Sequence, residues 1–230
     1  MGEMIEFQAN GSTARGYLAT PASGSGPGIV VLQEWWGLAP QLMRVADRLS
    51  AEGYTALAPD LYHGELATHQ EMDKAAHLMT TLDQRRAAKD MLGAIDALLA
   101  NAACSSAKVG VVGFCMGGVL TLRLCAAAGD KVAAAAPYYG APLGDDNIDW
   151  SNLAAKVRGH FASNDDFFPP DACLALAEHL RSLGKDVEFT VYPDTGHPFA
   201  NEDDPFGTYN EAAAKQAWTE TLDLFAAEVA

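Results

Sequence analysis

Basic residues are scarce in this 230-residue sequence: fifteen Lys and Arg stand against thirty Asp and Glu, a formal net charge of -15. DNA, RNA and anionic membrane surfaces repel a chain of that sign, so neither nucleic acid nor a membrane is expected as a partner. Cysteine is also sparse. Cys104, Cys115, Cys125 and Cys173 form no C-x-x-C pair and have no His cluster of the kind structural zinc needs. They read as reduced thiols, with neither a metal site nor a disulfide framework. Long hydrophobic runs are missing too: Gly, Pro or charge interrupts each one well short of the roughly 18 to 20 residues of a membrane span. The first residues carry acidic Glu3 and Glu6 and no basic segment before an apolar run, so no secretory signal is read and a cytoplasmic location is expected.

What is present is ordinary globular material, 49% apolar and 20% charged, enough to bury a core. The length fits one domain over 1-230. Short apolar runs bounded by Gly, Pro or Asp recur at Gly28 to Gln33, Thr55 to Pro59, Val109 to Phe114, Val132 to Tyr139, Val157 to Ala162 and Val187 to Tyr192, and these read as buried strands. Helical spacing appears between them, with Leu42, Val45, Ala46 and Leu49 on one face of Pro40 to Ala51, and Leu174, Ala177, Leu180 and Leu183 on one face of Ala172 to Leu183. Alternating strand and helix implies a mostly parallel sheet covered by helices on both faces, because parallel strands need crossover connections. Asn10-Gly11 inside Ile5 to Leu18 predicts an antiparallel edge hairpin. Met72 to Ala100 should break near Asp83, a good N-cap for a second helix.

Gly113-Phe114-Cys115-Met116-Gly117-Gly118 lies directly between the run Val109 to Val112 and the helical Val119 to Ala128. A G-x-nucleophile-x-G turn in that setting forces its central residue into a strained conformation and lifts the side chain above the sheet; here that residue is Cys115. Backbone N–H groups opening the next helix would favour a thiolate. A dinucleotide fingerprint is excluded, since Gly110, Gly113 and Gly117 do not make G-x-G-x-x-G. Such a turn requires an acid after a later strand and then a histidine after the next. Asp165 and Asp166 both follow the run ending at Ala162, and either could instead cap a helix opening at Pro169 or Pro170. Gly196-His197 follows the run ending at Tyr192.

With these residues in place the sequence resembles the dienelactone hydrolase family, a cysteine-dependent branch of the α/β-hydrolase fold. Four motifs carry the likeness: Gln33-Glu34 with Gly37, Pro59-Asp60-Leu61-Tyr62, the Cys115 turn, and Gly196-His197 followed by Phe199-Ala200. The family's acid motif, Asp, two residues, then an apolar residue and Pro, selects Asp165 with Phe168-Pro169. The resemblance further implies that Glu34 holds the resting thiol proton, and that the backbone N–H groups of Met116 and Trp35 form the oxyanion hole. Trp36, Phe168 and Phe199 are expected to line an apolar substrate pocket, together with Phe167, Met72 and Met79.

One departure stands out. Family members that act on dienelactone bind its carboxylate with two arginines, one in the segment after the Pro-Asp-Leu-Tyr strand and one four residues past the histidine. Here those places hold Lys74 with no Arg between Leu66 and Leu82, and Asn201. Arg85 and Arg86 sit on a predicted helix, where solvated positions are the rule. The expected function is hydrolysis of small esters or lactones through a Cys115-His197-Asp165 triad and a thioacyl intermediate, without metal or organic cofactor, by a monomer or small homo-oligomer. A non-catalytic small-molecule receptor on the same scaffold is the alternative. A redox-sensing thiol ranks last, since Cys125 lies several helical turns from Cys115.

Overall fold

The N-terminal residues largely alternate between exposed and buried, the period of two of a half-covered sheet, and form β1 (Glu3–Ala9) and β2 (Ser12–Ala19). They pair antiparallel from Glu3 opposite Leu18 to Ala9 opposite Ser12, the hairpin read from the sequence. Gly11 at its turn has φ +93°, while Asn10 lies outside the described residues. These observations come from a computed structural model that describes residues 2–9, 11–144 and 147–229. The chain divides into two compact units, residues 1–110 with 229–230 and residues 111–228.

In the first unit β3 (Gly28–Leu32) and β4 (Thr55–Pro59) are buried at every position, as parallel strands covered on both faces require. The strand order there is β1-β2-β4-β3, with β2 antiparallel to β4. Helix α1 (Pro40–Ala51) opens on a Pro, whose missing N–H costs nothing in a first turn, and buries Leu42, Ala46 and Leu49. The expected break is present: α2 (Met72–Thr81) ends before Asp83, whose carboxylate accepts from Arg85 N and Arg86 N at 3.0 and 3.1 Å to open α3 (Gln84–Ala100). Helix α3 buries Ala87, Met91, Ala94, Ile95 and Leu98.

The division between the units falls inside β5 (Val109–Phe114), after Gly110. In the second unit the order is β5-β6-β7-β8, made of β6 (Val132–Tyr138), β7 (Lys156–Asn164) and β8 (Val187–Gly196), with β6, β7 and β8 parallel. Helix α4 (Met116–Ala128) connects β5 to β6, and α5 (Pro170–Ser182) connects β7 to β8. Strand β8 runs four residues past the expected end at Tyr192. Between the Ala162-Tyr192 pair and the Asn164-Gly196 pair β8 advances four residues while β7 advances two, so the strand bulges through Pro193-Asp194 and then pairs again.

The alternation read from the sequence places nothing after Ala200, yet α6 (Glu211–Glu228) packs on β6 and β7 and buries Ala213, Ala217, Trp218, Leu224 and Phe225. Under it lies a buried polar network. His160 is 1% exposed, its Nδ1 is 2.8 Å from Tyr192 Oη and its Nε2 3.0 Å from Thr221 Oγ1. Tyr138 Oη is 2.8 Å from the same Thr221 hydroxyl, and Tyr192 donates to Glu220 Oε2 at 2.8 Å. Burial pushes the His160 imidazole down to about 3, so it is neutral here. No helix among the described residues is long and apolar enough to cross a membrane.

Candidate active site

Cys115 stands between β5 and α4 with φ 54° and ψ -116°, a conformation that non-glycine residues adopt only under constraint. The neighbouring glycines explain how it is held. A Cβ on Gly113 would run into the Gly117 carbonyl and the Thr121 hydroxyl, and one on Gly140 into the Cys115 carbonyl. Gly118 N and Val119 N donate to Cys115 O at 2.9 and 3.3 Å, so Cys115 begins the helix whose first residue is Met116. Helix α4 therefore starts three residues earlier than the Val119 read from the sequence, and its positive end lies at the cysteine.

His197 and Asp165 are brought together by sheet register. Asn164 and Gly196 are paired across β7 and β8, and the next residue on each strand is Asp165 and His197. Their side chains meet at 2.9 Å, Nδ1 to Oδ2, with the Asp165 side chain fully buried and that of His197 7% exposed. The other carboxylate oxygen of Asp165 accepts from Phe167 N at 2.9 Å and Phe168 N at 3.1 Å. An acceptor-only carboxylate assigns the imidazole proton to Nδ1, leaving Nε2 as the basic nitrogen. Asp166 is exposed.

Tyr138 and Tyr139 link this pair to the cysteine turn. The Tyr138 carbonyl accepts from Cys115 N at 3.0 Å, and Tyr139 N donates to His160 O at 2.7 Å. The fully buried Tyr139 ring stands edge-on to the His197 ring, 5.0 Å between centroids. Phe167 and Phe168 flank His197 as well, at 5.2 and 5.9 Å. Sequence reasoning missed Tyr139, which carries no motif; its φ of 34° would have been the only signal, and that is visible only in three dimensions.

The other expected site residues fall as follows. Glu34 is 3% exposed, two residues beyond the end of β3 in the first unit. Trp35 is half-buried and Trp36 buried, their rings 4.8 Å apart, with Trp36 4.9 Å from His69. Phe168 is half-buried, whereas Phe199 has no exposed surface and packs between Tyr139 and Tyr192 at 5.5 and 5.1 Å. Met72 and Met79 are exposed on α2. Burial pushes the thiols of Cys125 and Cys173 up to about 12, the latter helped by the charge of Asp165, which makes both inert as nucleophiles. Among the described residues no group of three or more His, Cys, Asp or Glu is arranged to hold a metal ion.

Comparison with known proteins bears on the whole chain. The dienelactone hydrolase family model matches residues 14–229. "Protein usf" of Aquifex pyrophilus is 37% identical over 231 residues, covering 98% of both chains, and a protein of Aquifex aeolicus that carries the provisional name carboxymethylenebutenolidase is 32% identical with the same coverage. A crystal structure from Klebsiella pneumoniae, provisionally named a dienelactone hydrolase, superposes with TM-score 0.84 at 26% identity over 98% of this chain and 99% of that one. An alpha/beta hydrolase from a deep-sea metagenome, 15% identical, shares the fold with TM-score 0.70 over 98% of this chain and 97% of that one. A family match from Ala14 to Val229, on relatives of nearly equal length, places this α/β-hydrolase chain in the dienelactone hydrolase family.

Proposed function

We propose that the chain hydrolyses small carboxylic esters or lactones through a Cys115-His197-Asp165 triad and a thioacyl intermediate. The observation that carries this reading is the buried His197-Asp165 contact at the paired ends of β7 and β8, in the same unit as the constrained Cys115 turn. Asp165 holds the imidazole so that Nε2 is the free base. Nε2 takes the thiol proton, Sγ bonds to the substrate carbonyl carbon, and the carbonyl π pair moves to oxygen. N–H groups at the start of α4, with Met116 first, face the charge that develops there. Collapse breaks the bond to the alcohol oxygen, and that oxygen takes the proton from His197. Water, giving a proton to His197, then attacks the thioester carbonyl; the acid leaves, and the sulfur departs as thiolate and recovers its proton.

The family resemblance adds Glu34 as the carboxylate that holds the resting thiol proton in a hydrogen bond, before His197 takes it, and the Trp35 N–H as a second oxyanion donor. A sulfur that keeps its proton beside a carboxylate until substrate arrives spares the enzyme a permanently oxidisable thiolate. Cys115→Ala tests the reading on p-nitrophenyl acetate. Loss of a triad nucleophile costs many powers of ten, so activity should fall by at least about 10³ with the fold retained. Intact-protein mass spectrometry should find an acetyl adduct on the wild type and none on the variant. Retention of more than about a tenth of the activity would overturn the covalent mechanism.

A further inference from the structure

The three rings around His197 differ in one respect that chemistry can use. Tyr139 is fully buried and Phe168 half-buried, but Phe167 is 65% exposed, the largest exposure of any large hydrophobic side chain among the described residues. A lone exposed phenylalanine is common on protein surfaces. This one is fixed in place: its backbone N–H is held at 2.9 Å by the same Asp165 carboxylate that orients His197, and its ring centroid lies 5.2 Å from that of the imidazole. The loop that carries the acid of the triad therefore also presents an open aromatic face beside the base.

The chemistry says which part of a substrate meets that face. With Nδ1 committed to Asp165, only Nε2 can deliver a proton, and it delivers it to the leaving oxygen. Whatever is attached to that oxygen must lie against the imidazole during collapse. The acyl carbon is by then bonded to Cys115, on the other side of the transferred proton. Tyr139 offers no open surface to a ligand and Phe168 is half-buried, so of the three rings Phe167 presents the most surface to an alcohol group extending from His197.

Building on the triad reading, we propose that Phe167 is a specificity-determining residue for the leaving alcohol, favouring esters of aromatic or extended apolar alcohols. Small lactones gain little from it, because their leaving oxygen stays tethered in the acyl ring.

The test compares wild type, Phe167→Ala and Phe167→Tyr on three esters: methyl acetate, benzyl acetate, which enlarges only the alcohol, and methyl benzoate, which enlarges only the acyl group. An aromatic pair contributes about 1 kcal/mol beyond its buried area, so the benzyl-to-methyl acetate ratio of kcat/KM should fall about fivefold in Phe167→Ala. Phe167→Tyr should restore that ratio. The methyl benzoate to methyl acetate ratio should hold within about twofold. If the loss follows the acyl group, or the alcohol ratio is unmoved, the inference is overturned. Failure here is separable from failure of the triad, because an active Cys115→Ala enzyme overturns the mechanism whatever Phe167 does.

Discussion

Asp165 accepts three hydrogen bonds with no side-chain exposure, whereas its neighbour Asp166 stays in solvent. The two acids were equivalent in sequence until the family motif chose between them, and burial is the physical content of that choice. Replacing Asp165 by Asn keeps an oxygen for the two backbone N–H groups but removes the charge that fixes the His197 tautomer and stabilises the imidazolium. Asp165→Asn should therefore lower kcat by about 10³ to 10⁴ with little loss of stability, and Asp166→Asn should change it by less than about threefold. Steady-state kinetics on a neutral ester, with urea midpoints for both variants, decide this. The opposite ranking would move the triad by one residue. Burial also sorts the thiols: Cys125 and Cys173, both held near 12, are poor nucleophiles, which leaves half-buried Cys104 and Cys115 as the thiols open to chemistry.

Strands and helices were legible where periodicity and punctuation agree. Thr55–Pro59, Val109–Phe114 and Pro40–Ala51 end where the sequence ends them, and the break at Asp83 follows from its capping carboxylate. Besides the late start read for α4, two elements were misread for definite reasons. Pro193-Asp194 looks like a strand terminator, but the bulge lets β8 resume pairing, and that pairing sets Asp165 beside His197. Helix α6 buries Ala213, Ala217, Thr221, Leu224 and Phe225 at helical spacing; three alanines and a threonine-glutamate run blur its apolar face, yet the signal was there. The polar network beneath α6 was invisible, since it joins residues from β6, β7, β8 and the helix.

That network makes stability depend on pH. His160 titrates near 3 when folded and near its ordinary 6.5 when unfolded. Above 6.5 neither state is charged and the group contributes no pH dependence. As pH falls from 6.5 towards 3 the unfolded chain gains a proton that the native state refuses, so stability drops by up to about 1.4 kcal/mol per pH unit. Glu220, 3.7 Å from Nδ1, the hydroxyls of Tyr192 and Thr221 and the Tyr138 ring face it. His160→Gln keeps a neutral donor and acceptor, and urea unfolding should then lose less stability between pH 7 and 5 than in the wild type. An unchanged difference between those two pH values would show that His160 is not the cause.

The whole molecule carries a formal charge of -15, and the two places where the family resemblance implies carboxylate-binding arginines hold none. The candidate replacements are engaged with other groups or exposed. Arg86 donates to His63 Nδ1 at 3.0 Å, Lys74 lies 3.8 Å from Glu65, Arg85 is exposed, and Asn201 is fully buried with its side-chain oxygen accepting from Asp203 N. A hydrogen bond to a charged group contributes about 1.5 to 3 kcal/mol, so the loss of two should cost a carboxylate-bearing substrate about 10² to 10⁴ in kcat/KM. The net charge adds a slower approach for anions, which salt near 0.15 M screens beyond about 8 Å. Dimethyl succinate and monomethyl succinate form a matched pair that differs by one carboxylate. The neutral diester should be turned over at least about 10² faster in kcat/KM, with the gap narrowing only slightly as salt rises, because the larger share comes from the missing short-range partners and not from the distant field. A gap that closes in salt would assign the preference to the field alone; equal turnover at low salt would point to Arg85, Arg86 or Lys74 as a relocated clamp, which single alanine substitutions would identify.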